Sequence, residues 1–181
     1  MDLKLTEHIS QRTRPSAVAA TFGLAMLAFT CAPVQALDIG NIAPTFSLSS
    51  NRGKLESATL KGKLVYVDFW ASWCVPCKQS FPWMNEMQAK YADRGLHVLA
   101  INVDAKAADA EKFLSQVPAK FQVAFDASGE TPKQFAVKSM PSSYLIDGDG
   151  RTVYVHTGFR ESDKNTIEAA IVAALDNMKK R

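Results

Sequence analysis

The feature that most limits what this chain can fold into is a pair of thiols, Cys74 and Cys77, set where an apolar strand gives way to a helix. Upstream, Leu64-Val65-Tyr66-Val67-Asp68-Phe69-Trp70 is β-branched and aromatic, which predicts a buried strand. Downstream, Phe81, Met84, Met87 and Tyr91 recur at helical spacing. The cysteines therefore open a helix, where unpaired N–H groups and the macrodipole favour a thiolate, the nucleophile of thiol–disulfide exchange. Cys74, nearer the junction, is expected to attack, and Cys77, one turn in, to resolve the mixed disulfide. Two plainer uses of the pair are weaker. A zinc site needs four ligands, and His97 and His156 have no ligand-like spacing to each other or to the cysteines. A two-residue loop also constrains an unfolded chain little, so an inert crosslink would contribute little.

A leader precedes this core. Lys4, Arg12 and Arg14 weight the start positively, Ala17 to Thr30 is apolar, and Val34-Gln35-Ala36 is a small-residue cleavage signal, so residues 1–36 read as a signal peptide. The apolar run is too short to span a bilayer comfortably, although an uncleaved anchor stays open. Cys31 follows Phe29-Thr30, not the Gly or Ala a lipoprotein signal would have, and is expected to be discarded. Arg12-Thr13-Arg14 is not an adjacent arginine pair, which favours general secretion over twin-arginine export. Residues 37–181 are enough for one domain with a real core. Their basic and acidic side chains nearly balance, and the only basic cluster is Lys179-Lys180-Arg181, so nucleic acid is not implied.

Along that domain, Phe46-Ser47-Leu48 reads as a short entry segment or edge strand, and Leu96 to Val103 as a central parallel strand reached through the cysteine helix. Asp109 to Val117 predicts a second helix stopped by Pro118, and Phe121, Val123 and Phe125 alternate as a strand. Thr131-Pro132 is read as N-cap and first helical residue of a short helix. Ser142 to Asp147 and Arg151 to His156 form a hairpin about Asp147-Gly148-Asp149-Gly150, and Ser162 is read as N-cap of the last helix. The same Asp-Gly turn lacks a third calcium ligand where Arg151 stands. The order predicts an α/β domain, a mixed central sheet with helices on both faces.

With strand, Trp-Cys-x-Pro-Cys-Lys, helix, strand and a late Met140-Pro141 in sequence, the chain from Leu64 onward resembles the thioredoxin superfamily. More narrowly it resembles the exported TlpA/ResA-like thiol–disulfide oxidoreductases, through its leader, Asp68-Phe69-Trp70-Ala71-Ser72-Trp73-Cys74, and Met140-Pro141-Ser142-Ser143-Tyr144-Leu145-Ile146-Asp147-Gly148-Asp149-Gly150. The segment between Val103 and Asp126 is similar to that branch's central αβ insertion. The resemblance implies a buried carboxylate at Asp68 that takes a proton as Cys77 ionises, with a plain hydrogen-bonded strand carboxylate as the alternative. It implies a cis bond before Pro141, with Met140 presenting backbone to an extended client. It makes Pro82 a kink-forming proline. Trp73 is either a lid over the thiols or a core aromatic. Ser80 stands where cytochrome-maturation members commonly carry Glu, and Ala100 where cytosolic thioredoxins carry Lys.

These readings converge on a periplasmic, monomeric reductant of client-protein disulfides, without a bound cofactor and recharged by a membrane thiol–disulfide electron donor. Val75-Pro76 between the cysteines puts neither histidine nor positive charge beside Cys74, which points toward a reductant. Two rivals are a thiol peroxidase, whose Pro-x-x-x-Thr-x-x-Cys pattern is missing, and a Cu(I) carrier, whose relatives space their cysteines by three and add a histidine.

Overall fold

A computed structural model describes residues 38–180, so the signal peptide, its cleavage after Ala36, Cys31 and Arg181 lie outside the described residues. Seven strands form one sheet in the order β2-β1-β5-β4-β3-β6-β7. Its strands are β1 (Ser47–Ser50), β2 (Gly53–Glu56), β3 (Leu64–Trp70), β4 (Leu96–Asn102), β5 (Gln122–Phe125), β6 (Ser142–Ile146) and β7 (Thr152–Thr157). The helices are α1 (Val75–Tyr91), α2 (Ala107–Gln116), α3 (Glu130–Gln134) and α4 (Lys164–Lys179). β3, β4 and β5 run parallel, while β1, β2, β6 and β7 join antiparallel, which makes the expected mixed sheet.

All seven residues of β3 are buried, and their alternation divides them between two cores. Leu64, Tyr66 and Trp70 pack with Phe81 and Met84 of α1, Phe113 of α2 and Ile167 and Ile171 of α4. Val65, Val67 and Phe69 pack the other way, against Leu60 of the 3-10 turn Ser57–Leu60, Phe135 at the end of α3, and Tyr144. A strand covered on both faces needs apolar residues at every position, and each large one contributes about 1.5–3 kcal/mol by burial. Asp68 is the one charged residue in that run.

The central insertion is α2 with β5. α2 begins at Ala107, two residues before the expected start, and β5 lies parallel beside β4. Three local expectations need correction. Phe46-Ser47-Leu48 does not lead into an edge strand, because β2 pairs outside β1 and takes that edge. Thr131 is not an N-cap: it lies inside α3, whose N-cap is Gly129 at φ 71°, and the Asp126 carboxylate accepts the Thr131 N–H at 2.7 Å. Ser162 is not an N-cap either. It sits in a 3-10 turn, Glu161–Asp163, closed by Asp163 accepting the Arg160 N–H at 2.9 Å before α4 begins. In both places the turn starts earlier than the hydroxyl residue, at Gly129 and at Arg160, and an aspartate accepts one of its backbone N–H groups.

The β6–β7 hairpin turns as expected. The Asp147 carboxylate accepts the Asp149 and Arg151 N–H groups at 3.1 and 2.9 Å, and Gly150 takes the positive φ of 84° that the turn needs.

Candidate active site at the start of helix α1

The sheet delivers β3 to the N-terminus of α1 through the short loop Ala71–Trp73. Cys74 is the N-cap, with extended backbone, and its sulfur accepts the Cys77 N–H at 3.2 Å. Pro76 fits the first turn because an N–H there would have no helical partner. Cys74 and Cys77 are joined as a disulfide, with Cα atoms 5.3 Å apart. Cys77 is fully buried and Cys74 retains 4% exposure. Trp73 and Val75 on either side of Cys74 are each 70% exposed, so Trp73 is no core aromatic. α1 continues through Pro82, which is missing one helix N–H.

Asp68 lies in the middle of β3, on the face shared by Tyr66 and Trp70 that α1 covers, and is 1% exposed. Its neighbours in the sheet are Ala100 on β4 and Ser143 on β6. The Ser143 hydroxyl donates to Oδ1 at 2.7 Å, and Oδ2 has no hydrogen-bond partner among the described residues. Burial pushes the Asp68 carboxyl up to about 7, with the Ser143 hydrogen bond pulling weakly the other way. Ala100 supplies no cation; Ser143 donates to this carboxyl, and Tyr66, on the same face of β3, is near enough to interact with it electrostatically.

The bond between Met140 and Pro141 is cis, as the resemblance implied. Met140 and Trp73 line one groove with Val103, Lys133, Val137 and Lys138. A second groove, on the side of Cys74 toward α2, is lined by Ser72, Trp73, Cys74, Val75 and side chains of α1 and α2. Ser80 is buried and donates its hydroxyl to the Cys77 carbonyl at 3.0 Å, turned into the helix and away from the sulfur chemistry. His97 meets Gln122 at 3.0 Å, and His156 lies 3.4 Å from Asp163; neither joins the cysteines.

Two residues of this site escaped the sequence reading. Ser143 is one. The other is Asp104, just past the end of β4 and 7% exposed. Its carboxylate accepts the Ser72 N–H at 2.9 Å, the Ser72 hydroxyl at 3.1 Å and the Asn102 side-chain amide at 2.8 Å. It thereby ties the loop that leads to Cys74 to the neighbouring strand. The signal that could have found it is position: the carboxyl ends of adjacent parallel strands are where α/β sheets build their sites.

The Redoxin family model matches residues 38–171, from the first described residue well into α4. The chain belongs to the Redoxin family. It is 36% identical over 135 residues to the thiol-disulfide oxidoreductase ResA of Bacillus thuringiensis subsp. konkukian (strain 97-27), covering 74% of this chain and 77% of the relative. It is 32% identical over 125 residues to ResA of Bacillus subtilis (strain 168), covering 68% and 70%. A crystal structure from Chlorobium tepidum, described as a thiol:disulfide interchange protein DsbE, superimposes with a TM-score of 0.76 at 54% identity, covering 77% of this chain and 99% of that one. This Redoxin chain has the thioredoxin-like fold and is a thiol–disulfide oxidoreductase, with Cys74–Cys77 as its redox pair.

Proposed function

We propose that the chain reduces disulfides of exported client proteins, with Cys74 as nucleophile, Cys77 as resolving thiol and Asp68 as proton acceptor. The observation that carries this reading is the asymmetry of the site: exposed Trp73 and Val75 flank Cys74, whereas Cys77 is sealed on the face that also buries Asp68. A client sulfur has access to Cys74 first. Attack by the Cys74 thiolate on the client disulfide forms a mixed disulfide and releases one client thiolate. Cys77 then attacks Cys74, closing the intramolecular disulfide and freeing the second client thiol. Cys77 must lose a proton to do so, and a neutral-to-ionised carboxyl poised near 7 can take it.

Trp73, Met140 and cis-Pro141 are assigned to holding the client segment; Trp73 and Met140 line one groove, which supports the assignment. Direction follows from the absence of any histidine or cation at Val75 and Pro76, which leaves the Cys74 thiolate less stabilised than in a strong oxidant. The protein works as a monomer in the periplasm, after removal of residues 1–36, and a membrane thiol–disulfide donor recharges it. Among the described residues no helix is long and apolar enough to cross a membrane. Trapping tests the assignment. Cys77→Ser should accumulate mixed disulfides with clients on Cys74, and Cys74→Ser should accumulate few; equal trapping by both would contradict it.

A further inference from the structure

The groove between the start of α1 and α2 has features that thiol exchange alone does not require. Its volume is about 320 Å³, at the small end of ligand sites, and it opens directly beside Cys74. Lys78 enters from α1 and Lys112 from α2, on opposite walls, and neither takes part in an ion pair among the described residues. Asp109 stands one turn before Lys112 on the same wall, and Trp73, Val75 and Phe113 supply apolar surface. Two cations, one anion and an apolar floor, placed next to a redox sulfur, complement an amino-acid-type chain that carries carboxylates and an ammonium near its own sulfur.

We propose that this groove is a carboxylate subsite, in which Lys78 and Lys112 hold the carboxylates of a disulfide while its sulfur meets Cys74, and Asp109 receives an ammonium. The proposal rests on the reductase reading above and deepens it by naming a substrate class. The carboxylates can come from a free low-molecular-weight disulfide or from acidic residues flanking a client cysteine; the recognising chemistry is the same. In one turnover the Cys74 thiolate attacks R–S–S–R, giving Cys74–S–S–R and RS⁻. Cys77 then displaces the second RS⁻ from Cys74. The dithiol is oxidised by two electrons, the disulfide is reduced to two thiols, and the two thiol protons end on the released thiolates.

The test measures how fast the reduced protein is oxidised by glutathione disulfide and by neutral bis(2-hydroxyethyl) disulfide, in the wild type and in Lys78→Gln/Lys112→Gln. A second pair of probes is a disulfide-bonded peptide with glutamates flanking its cysteines and its glutamine counterpart. The double substitution should lower the anionic-to-neutral rate ratio about three- to tenfold, the effect of two partly exposed charge contacts, and added salt should shrink the difference. A fall with glutathione disulfide supports the subsite and assigns it to small disulfides; a fall with the glutamate peptide alone supports it and assigns it to clients. Ratios unchanged in both pairs would overturn the subsite while leaving the reductase reading intact. A wild type inert to all four probes would instead overturn the reductase reading, and the subsite with it.

Discussion

At the scale of single residues the site depends on two buried aspartates with opposite tasks. Asp104 is fully engaged, and the groups it serves would be orphaned without it. Asp104→Ala should cost about 1–3 kcal/mol of stability through the unpaired Ser72 and Asn102 donors. Because it frees the loop before Cys74, it should also lower kcat/KM for insulin reduction on the order of tenfold. Asp104→Asn should recover most of both, since its oxygen can still accept from Ser72 and Asn102 and its amide can donate to the Ser72 hydroxyl. A stability loss with unchanged kcat/KM in Asp104→Ala would make the residue scaffold only. Asp68 is under-satisfied, with one oxygen bonded to Ser143 and the other unpartnered among the described residues, which suits a group that must change protonation. Asp68→Asn should slow release of the mixed disulfide and remove the step near pH 7 from its rate profile; rapid-quench kinetics across pH 6–9 would detect either. Neither Asp104 nor Ser143 could be paired with its partner from the sequence, because the contacts bridge 32 and 75 residues and depend on strand order, which periodicity does not reveal.

At the scale of elements, the helix that carries the cysteines is held down by rings. Phe81 is fully buried and meets Trp70, Phe113 and Phe121 at centroid distances of 4.9, 5.1 and 5.2 Å, so one side chain joins α1 to β3, to α2 and to the segment entering β5. Phe81→Ala should destabilise the domain by about 3–5 kcal/mol, measured by urea unfolding of the oxidised form; a loss below about 1 kcal/mol would mean that the neighbouring rings close the gap. Elements of this kind were legible in the sequence. β3, β4, α1 and α4 are long and strongly patterned, and their positions were read to within a few residues. β2 was not, because Gly53-Lys54-Leu55-Glu56 is short, mostly exposed and set only by pairing with β1. The caps at Thr131 and Ser162 failed for a related reason. Both residues suit an N-cap locally, but each falls inside a turn that begins earlier, at Gly129 and at Arg160, with Asp126 and Asp163 accepting backbone N–H groups there.

At the scale of the whole molecule, burying Asp68 trades stability for proton handling. The folded chain keeps this proton up to about pH 7, whereas the ordinary value is 3.8, so its contribution is fully present below about pH 4 and is lost as pH rises through about 7. Wild type should therefore lose about 3–5 kcal/mol relative to Asp68→Asn between pH 4 and pH 8, with the variant the more stable above neutrality. Parallel urea curves for the two proteins at both ends of that range would contradict the raised carboxyl. Direction of electron flow is also a property of the whole fold, since it compares the oxidised and reduced states. Val75 and Pro76 add neither histidine nor cation to the helix N-terminus, and Lys78 and Lys112 in the adjacent groove are exposed and screened by solvent, so the disulfide should be hard to reduce and the dithiol a good donor. The decisive measurement is the reduction potential of the Cys74–Cys77 pair, equilibrated against glutathione. A value on the order of −250 mV is predicted; a value above about −150 mV, together with a Cys74 pKa well below about 5, would make the protein an oxidant of newly exported chains and contradict the account.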